Sequence, residues 1–335
     1  MDKPLRVGVV GPGLFWEMVH KGMLAKRPRA FQVAAICGSS AKSRERAAAE
    51  FPNVPFVSDW HELVAMPELD AVLVLTPIHL NGKVALAALE AGKHVFVEKP
   101  VATELRDAES LLELEAVSGR RVFVLEQVAY DPLWGKAKEI LQSGVLGDVV
   151  LFERINHFLM DAGEHSLSGF GATPWRIHPE YPLGAIFDGG MHDLAILSTL
   201  FGSPAGVYAL GSRGRKDYGD YSELSMLFDY GHEFKGFFSF SSYLGGKRNP
   251  FTIRGTQGTL AVENCQLIVE RKTGEVFQVD VPVACAHDRM YDDFIRCLES
   301  DEDPAYPLRA ALADLRVLDA VTKSLKSGEK AAVAW

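Results

Sequence analysis

The 335-residue sequence predicts an α/β chain in two parts: an N-terminal doubly wound parallel sheet, then an α+β domain with a large, mainly antiparallel open sheet. Three observations predict it. The first third alternates short apolar runs with helical patterns, as parallel βαβ units do. A glycine turn, Gly11-Pro12-Gly13, joins the first apolar run to the first helix. Later strands follow one another through turns such as Asp229-Tyr230-Gly231, which suits antiparallel pairing.

The elements follow in order. Leu5 to Val10 is a β-branched run, and Phe15 to Lys26 carries the first helical pattern. Phe31 to Cys37 reads as the second strand, Ser43 to Phe51 as a helix, and Phe56-Val57 as a short third strand. Asp70 to Leu75, His94 to Val97 and Arg121 to Leu125 complete six strands of a Rossmann-type sheet, separated by helices over Asn81 to Ala91 and Glu104 to Ser118. The boundary is expected near Glu126, giving domains 1–126 and 127–335. A helix from Leu133 to Ser143 then leads into strands at Val149 to His157, Ala205 to Ser212, Ser222 to Phe228 and Glu233 to Tyr243. Further strands are expected at Pro250 to Arg254, Thr259 to Val262, Gln266 to Glu270 and Glu275 to Val279. Helices over Met290 to Glu299 and Pro307 to Ser327 close the chain and are candidates to pack back on the first domain.

Composition excludes several classes. A net charge of -9 with no basic run argues against a nucleic-acid partner. Hydrophobic content of 47% and charged content of 24% suit a globular enzyme rather than a disordered chain. Cys37, Cys265, Cys285 and Cys297 show no metal-type spacing, so buried free thiols and no metal are expected. No apolar run reaches membrane-spanning length, and the first strand starts at Leu5, leaving no room for a signal peptide; the expected compartment is the cytoplasm.

Gly8, Gly11 and Gly13 stand where a missing side chain lets the backbone approach a pyrophosphate on a helix N-terminus; a plain tight turn is the other reading. Trp16 fills the third position of G-x-G-x-x-G, where a small residue lets helix and strand close up, so either the helix is displaced or the indole points outward. The second strand ends in Cys37-Gly38-Ser39-Ser40 with Lys42 and Arg44 beyond, and lacks the carboxylate that NAD sites place there. A carboxylate about 4 Å from a phosphate would repel it by roughly 4 kcal/mol per charge pair. Its absence leans the expectation from NAD to NADP, with Ser39, Ser40, Lys42 and Arg44 as donors to a 2′-phosphate; for the two cations a solvated helix face is the equal alternative.

Thr76-Pro77 follows the strand Asp70 to Leu75, Ala91-Gly92-Lys93-His94-Val95 leads into Glu98-Lys99-Pro100, and Asp188-Gly189-Gly190-Met191-His192 lies in the second domain. With Trp175-Arg176 and Gly255-Thr256-Gln257-Gly258, these motifs make the sequence resemble the Gfo/Idh/MocA oxidoreductases over nearly its whole length. The resemblance implies a Rossmann domain, a second domain with a large open sheet, and an active site between them. It implies a catalytic lysine, Lys99, with Asp188 and His192 from a D-x-x-x-H segment. It places Gly11, Gly13, Leu14, Phe15, Thr76 and Pro77 at the cofactor, together with Asn81, Glu98, Lys99 and Gln127. It also suggests a cis Lys99-Pro100 bond. The sequence departs from the family at Asn81, where a histidine is common, at Leu183, where a glycine pair is common, and at Ala195, where a second aspartate is common although Asp193 is nearby.

Asp188 and His192 are four apart at the start of a helix body, Asp193 to Leu200, so both would share one face. Histidine suits taking a proton from a secondary hydroxyl near neutral pH, while hydride leaves the same carbon for nicotinamide. Lys99 would polarise the reacting oxygen, and Asp188 would orient His192 or bind a neighbouring hydroxyl. A helix cap with a core histidine is the alternative for the pair. Trp175 and Arg176 read equally as a stacking face with a fixed donor for substrate or as an anchor between domains. His157, His165 and His178 show no metal spacing, His20 and His79 read as structural, and Gly211 to Asp220 reads as a lid or a hairpin loop.

The expected function is an NAD(P)-dependent dehydrogenase or reductase of a sugar, inositol or related polyol. The alternatives are an NAD-dependent glycoside hydrolase and a cofactor-sensing regulator on the same fold. The expected partners are a small-molecule substrate and further copies of the chain, as a homodimer or homotetramer covering the open sheet, with no membrane partner.

Overall fold

The computed structural model describes residues 3–160, 169–245 and 249–334. Two compact units divide the chain: Met1–Gln127 with Ala286–Leu312, and Val128–Cys285 with Ala313–Trp335.

In the first unit six parallel strands, β1 (Leu5–Val10), β2 (Phe31–Cys37), β3 (Phe56–Val57), β4 (Ala71–Val74), β5 (His94–Glu98) and β6 (Val122–Leu125), lie in the order β3-β2-β1-β4-β5-β6. This is the predicted Rossmann sheet. Its central strands read as unbroken apolar runs because helices cover both faces of such a sheet; β4 and β6 are buried along their whole length. Register fixes the edge that matters. Val10 pairs with Cys37 and with Val74, Val74 with Val97, and Val97 with Val124. Gly11, Gly38, Leu75, Glu98 and Leu125 therefore emerge side by side at the carboxyl ends of the strands, where open α/β sheets bind ligands.

The helix Ala286–Ser300 belongs to this unit by packing. Phe294 sits 4.8 Å from Phe123, which stacks at 5.0 Å on Phe96, and Phe96 meets Phe31 edge-on at 5.6 Å. Arg27 adds bonds to the carboxylates of both Asp288 and Asp292. A short helix without a sequence expectation, Trp60–Val64, begins at Asp59, whose carboxylate accepts the His61 amide at 2.9 Å.

The second unit is built on nine strands: β7 (Val149–His157), β8 (Gly206–Ser212), β9 (Glu223–Asp229), β10 (Lys235–Ser241), β11 (Phe251–Gly255), β12 (Gly258–Glu263), β13 (Gln266–Arg271), β14 (Val276–Val279) and β15 (Ala331–Ala332). Their order is β14-β13-β12-β11-β7-β10-β9-β8-β15, and every pair but one is antiparallel. The exception is β7 with β10, at the centre. One face carries fully buried Phe152, Phe228 and Phe238 under helices that include Gly190–Phe201, whose Phe201 stacks on Phe152 at 5.1 Å. Across the other face Tyr208, Leu227 and Phe237 stand in one register row, with Leu227 about half exposed.

Two of the four thiols depart from expectation: Cys37 and Cys297 are buried, but Cys265 and Cys285 are exposed, all four being free. Burial pushes the Cys37 thiol up to about 11. Among the described residues no helix is long and apolar enough to cross a membrane.

Candidate active site

At the β1 edge the chain turns through Gly11 with φ +89°, a backbone region that side chains rarely adopt, and a Cβ there would lie 2.5 Å from the Leu75 carbonyl oxygen. The Gly11 amide donates to Cys37 O at 3.0 Å and the Gly13 amide to Gly11 O at 2.7 Å, which fixes the turn to the neighbouring strand. Gly13 faces open space: only the Gly11 oxygen lies within 4 Å of where its Cβ would be. A tight, anchored turn with a bare face is the cradle that a pyrophosphate requires, so these residues fit a dinucleotide. Leu14 is partly exposed beside it and Phe15 is half-buried.

Of the two alternatives that Trp16 leaves open, the structure takes the displaced helix. Its indole does not point outward; it is 2% exposed, 6.1 Å from the Phe51 ring, in a small pocket shared with Pro12, Ile36 and Ala47. The helix start adapts by opening into a π-helical turn, Trp16–His20, before α-helix resumes at Lys21.

At the end of β2, a Cβ on Gly38 would approach the Ser43 hydroxyl to 2.7 Å and the Pro12 ring to 3.2 Å, so a larger residue there must displace its neighbours. Ser39 and Ser40 are exposed, but the Ser40 hydroxyl is committed locally: it caps the helix Ala41–Glu50 by accepting the Ser43 amide at 3.0 Å. Arg44 lies over the Phe56 ring at 4.6 Å and donates to the Ser58 hydroxyl at 2.7 Å, a resting place at the surface.

Lys99 follows β5 and is nearly buried, joined to Pro100 by a cis peptide bond. The turn is held from two sides. Asn81, on the helix Ile78–Glu90, donates its amide to Glu98 O and Pro100 O, both at 2.9 Å, and accepts the Thr76 hydroxyl at 2.8 Å. Asn81 is fully buried, so its part is to bind the Thr76-Pro77 strand end to the lysine turn rather than to touch a cofactor. From the other side the Glu98 carboxylate accepts the Lys99 amide at 3.1 Å and meets His20 Nε2 at 2.8 Å. His20 Nδ1 in turn lies 2.8 Å from the Tyr291 hydroxyl. Burial, then the Glu98 charge, pushes the Tyr291 phenol well above its ordinary range, so it keeps its proton. Gln127, which opens the 3-10 turn Gln127–Tyr130 just after β6, is the last residue of the unit's first segment.

Asp188, His192, Trp175 and Arg176 belong to the second unit. Asp188 ends the helical turn Ala185–Asp188; Gly189 keeps helical angles, and Gly190–Phe201 continues the helix, so Asp188 and His192 are one turn apart on a nearly continuous helix. Arg176 Nε donates to Asp188 at 2.6 Å, with both side chains about nine-tenths buried, and its guanidinium lies 4.0 Å over the Trp175 ring. Trp175 and Arg176 therefore form one unit with Asp188. His192 is half-buried. Asp193 points elsewhere: it accepts from Arg154 and Asn156 of β7, each at 2.7 Å, which fastens the first helical turn to the sheet.

Leu183, where the family commonly has glycine, has φ +64° and its side chain is buried. Its apolar burial offsets a left-handed conformation costing roughly 1–2 kcal/mol. Of Gly211 to Asp220, the first two residues end β8 and Tyr218 anchors the rest: its amide donates to Ile177 O at 2.8 Å, its O accepts the Ala185 amide at 3.0 Å, and its hydroxyl donates to Gly171 O at 3.0 Å. His157 is paired with the Ser239 hydroxyl at 2.8 Å, His178 is exposed, and His165 lies outside the described residues. Among the described residues no cluster of three or more His, Cys, Asp and Glu side chains could hold a metal ion.

Residues 5–126 match the family model for the Gfo/Idh/MocA oxidoreductase family, NAD-binding Rossmann fold, and residues 134–261 match the Gfo/Idh/MocA C-terminal domain. An uncharacterized oxidoreductase of Schizosaccharomyces pombe is 32% identical over 208 residues, 62% of this chain and 54% of the relative, so the match spans about half of that relative's length. The scyllo-inositol 2-dehydrogenase (NADP+) of Bacillus subtilis is 26% identical over 68% of this chain and 60% of its own. Among solved structures, an oxidoreductase of Thermotoga maritima superposes with a TM-score of 0.87 at 25% identity, covering 99% of both chains.

Proposed function

Because the chain belongs to the Gfo/Idh/MocA family of oxidoreductases, we propose that it is a nicotinamide-dependent dehydrogenase, using NADP in preference to NAD, that acts on a secondary alcohol or carbonyl of a sugar, inositol or related polyol. The observation that carries this reading is the delivery of Lys99, by strand register, to the same sheet edge as the Gly11-Gly13 turn. A bound nicotinamide supplies the hydride acceptor or donor. Gly11, Gly13, Leu14, Phe15, Ser39, Thr76 and Pro77 are the residues of that edge that would hold the dinucleotide.

The rest of the chemistry falls to side chains. Lys99 donates a hydrogen bond to the reacting oxygen and stabilises the charge that develops there. His192 takes the hydroxyl proton in oxidation and returns it in reduction. Asp188, its direction set by Arg176, binds a neighbouring hydroxyl or orients His192, and Trp175 stacks on the Arg176 plane beside it. Preference for NADP rests on Gly38 in place of a carboxylate and on exposed Ser39, Lys42 and Arg44 after β2; the NADP-dependent relative supports it. The apolar row Tyr208, Leu227 and Phe237 supports a homodimer or homotetramer that covers this face.

The test is to supply NADP and NAD separately with a panel of sugars, inositols and their keto forms and to follow nicotinamide absorbance. Turnover with at least one polyol, faster with NADP, is expected. Absence of both dinucleotide binding and turnover would overturn the reading.

A further inference from the structure

The turn that carries Lys99 is held from behind by two buried side chains far from it in sequence. We propose that His20 and Tyr291 are positioning residues for Lys99, acting through the carboxylate of Glu98.

Three hydrogen bonds make the chain: the Tyr291 hydroxyl to His20 Nδ1 at 2.8 Å, His20 Nε2 to Glu98 Oε1 at 2.8 Å, and the Lys99 amide to Glu98 Oε2 at 3.1 Å. Glu98 accepts from His20 Nε2; at Nδ1 a neutral imidazole accepts from the Tyr291 hydroxyl and an imidazolium donates to its oxygen, so the link to Tyr291 exists in either form. Both Glu98 oxygens are used. His20 and Tyr291 are essentially fully buried, whereas Glu98 keeps a small exposed fraction at the ligand edge. His20 lies on the π-helical turn next to the glycine turn, and Tyr291 on the helix Ala286–Ser300, so the lysine turn is referenced to two elements at once. The helix Ala286–Ser300 is tied to the chain just beyond the helix that continues the π-helical turn, because Arg27 bonds Met23 O, Asp288 and Asp292 and places its guanidinium 5.7 Å from the Tyr291 ring.

A satisfied core histidine needs partners, but it does not need them to end on the backbone of the residue that meets substrate. Here they do, and Asn81 holds the carbonyls on either side of Lys99 from the opposite direction. The peptide units flanking Lys99 thus have few alternative arrangements, which is what a group aimed at a developing charge requires.

The functional meaning of this chain rests on the proposed role of Lys99, but its test needs no substrate. Trace acetic anhydride labelling, read by mass spectrometry, gives the acetylation rate of Lys99 relative to the exposed Lys83 on the same unit. His20→Leu removes both imidazole bonds, His20→Gln keeps an amide donor toward Glu98, and Tyr291→Phe deletes one hydroxyl. We expect the Lys99 ratio to rise about five-fold in His20→Leu, the factor equivalent to one net hydrogen bond. It should rise at least two-fold in Tyr291→Phe and stay within about two-fold of the parent in His20→Gln. An unchanged ratio in folded His20→Leu, or in Tyr291→Phe should the former not fold, overturns the proposal. So does a His20→Gln variant as perturbed as His20→Leu, which would mark a purely steric role. If dinucleotide binding and polyol turnover are both absent while these ratios hold, the proposed function fails and the positioning chain stands.

Discussion

Replacing Asn81 by aspartate changes one atom type and tests the construction of the lysine turn. The asparagine amide nitrogen serves two carbonyls, Glu98 O and Pro100 O, while its oxygen accepts from Thr76. The aspartate of Asn81→Asp would keep the Thr76 bond and turn an oxygen toward both carbonyls. A buried carboxylate facing two carbonyl dipoles takes up a proton, and the resulting hydroxyl can serve only one of them. The remaining carbonyl costs about 1–3 kcal/mol. Because the folded state now binds a proton that the unfolded state releases above pH about 4, the sign of the linkage is fixed: stability falls as pH rises, by about 1.4 kcal/mol per unit until the folded group ionises. Asn81→Ala leaves both carbonyls unserved, costs roughly 2–6 kcal/mol by the same accounting, and has no such slope. Urea or thermal unfolding of parent and both variants between pH 5 and 8 reads this directly. An aspartate variant whose deficit is flat across that range would refute the carbonyl clamp.

Gly11→Ala and Gly13→Ala should separate stability from cofactor binding. The first forces a Cβ against Leu75 O at φ +89° and is expected to lose about 1–3 kcal/mol of stability. The second should melt close to the parent yet weaken NADPH binding at least about ten-fold by filling the cradle, and equal NADPH affinity in Gly13→Ala would remove this turn from the cofactor site. Burial and the neighbouring Arg120 hold His94 down to about 4 from its ordinary 6.5, and its Nδ1 accepts the Arg121 amide. This group contributes at most about 3 kcal/mol, fully present above pH about 6.5 and lost as pH falls toward about 4; His94→Asn should flatten that limb of the stability curve, and an unaltered limb would contradict it. Arg176→Ala leaves Asp188 buried without its ion-pair partner and should cost about 3–5 kcal/mol, with Arg176→Lys recovering only part; a melting loss under about 1 kcal/mol would show the pair to be peripheral.

The Rossmann sheet is legible in the sequence because β-branched runs buried on both faces leave a plain pattern, and because Gly11 must adopt a conformation that few other residues tolerate. The pairing of Asp188 with His192 on one helix is equally legible, since spacing along one helix is a local matter. What spacing cannot carry is partnership across the fold. Tyr291 is 271 positions from His20, and neither residue type announces the other. Asn81 reads as a cofactor contact because the family resemblance puts one there; its complete burial and its bonds show that its amide is spent on the protein. Trp16 is ambiguous for a related reason, as the room for its indole is made by Phe51 and a locally widened helix. The two-residue strand Ala331–Ala332 has no signal at all beyond its pairing with β8.

The parallel pairing of β7 with β10 has a consequence for how such a protein changes over time. From the end of β7 the chain leaves the sheet at its centre, and it re-enters at β8, three strands away; β9 and β10 then walk back to close against β7. Trp175, Arg176, Asp188 and His192 all ride on that single excursion. Residues can be added or lost along it without shifting one rung of the nine-stranded ladder, so the contour it presents is free to drift while the scaffold beneath it stays in step.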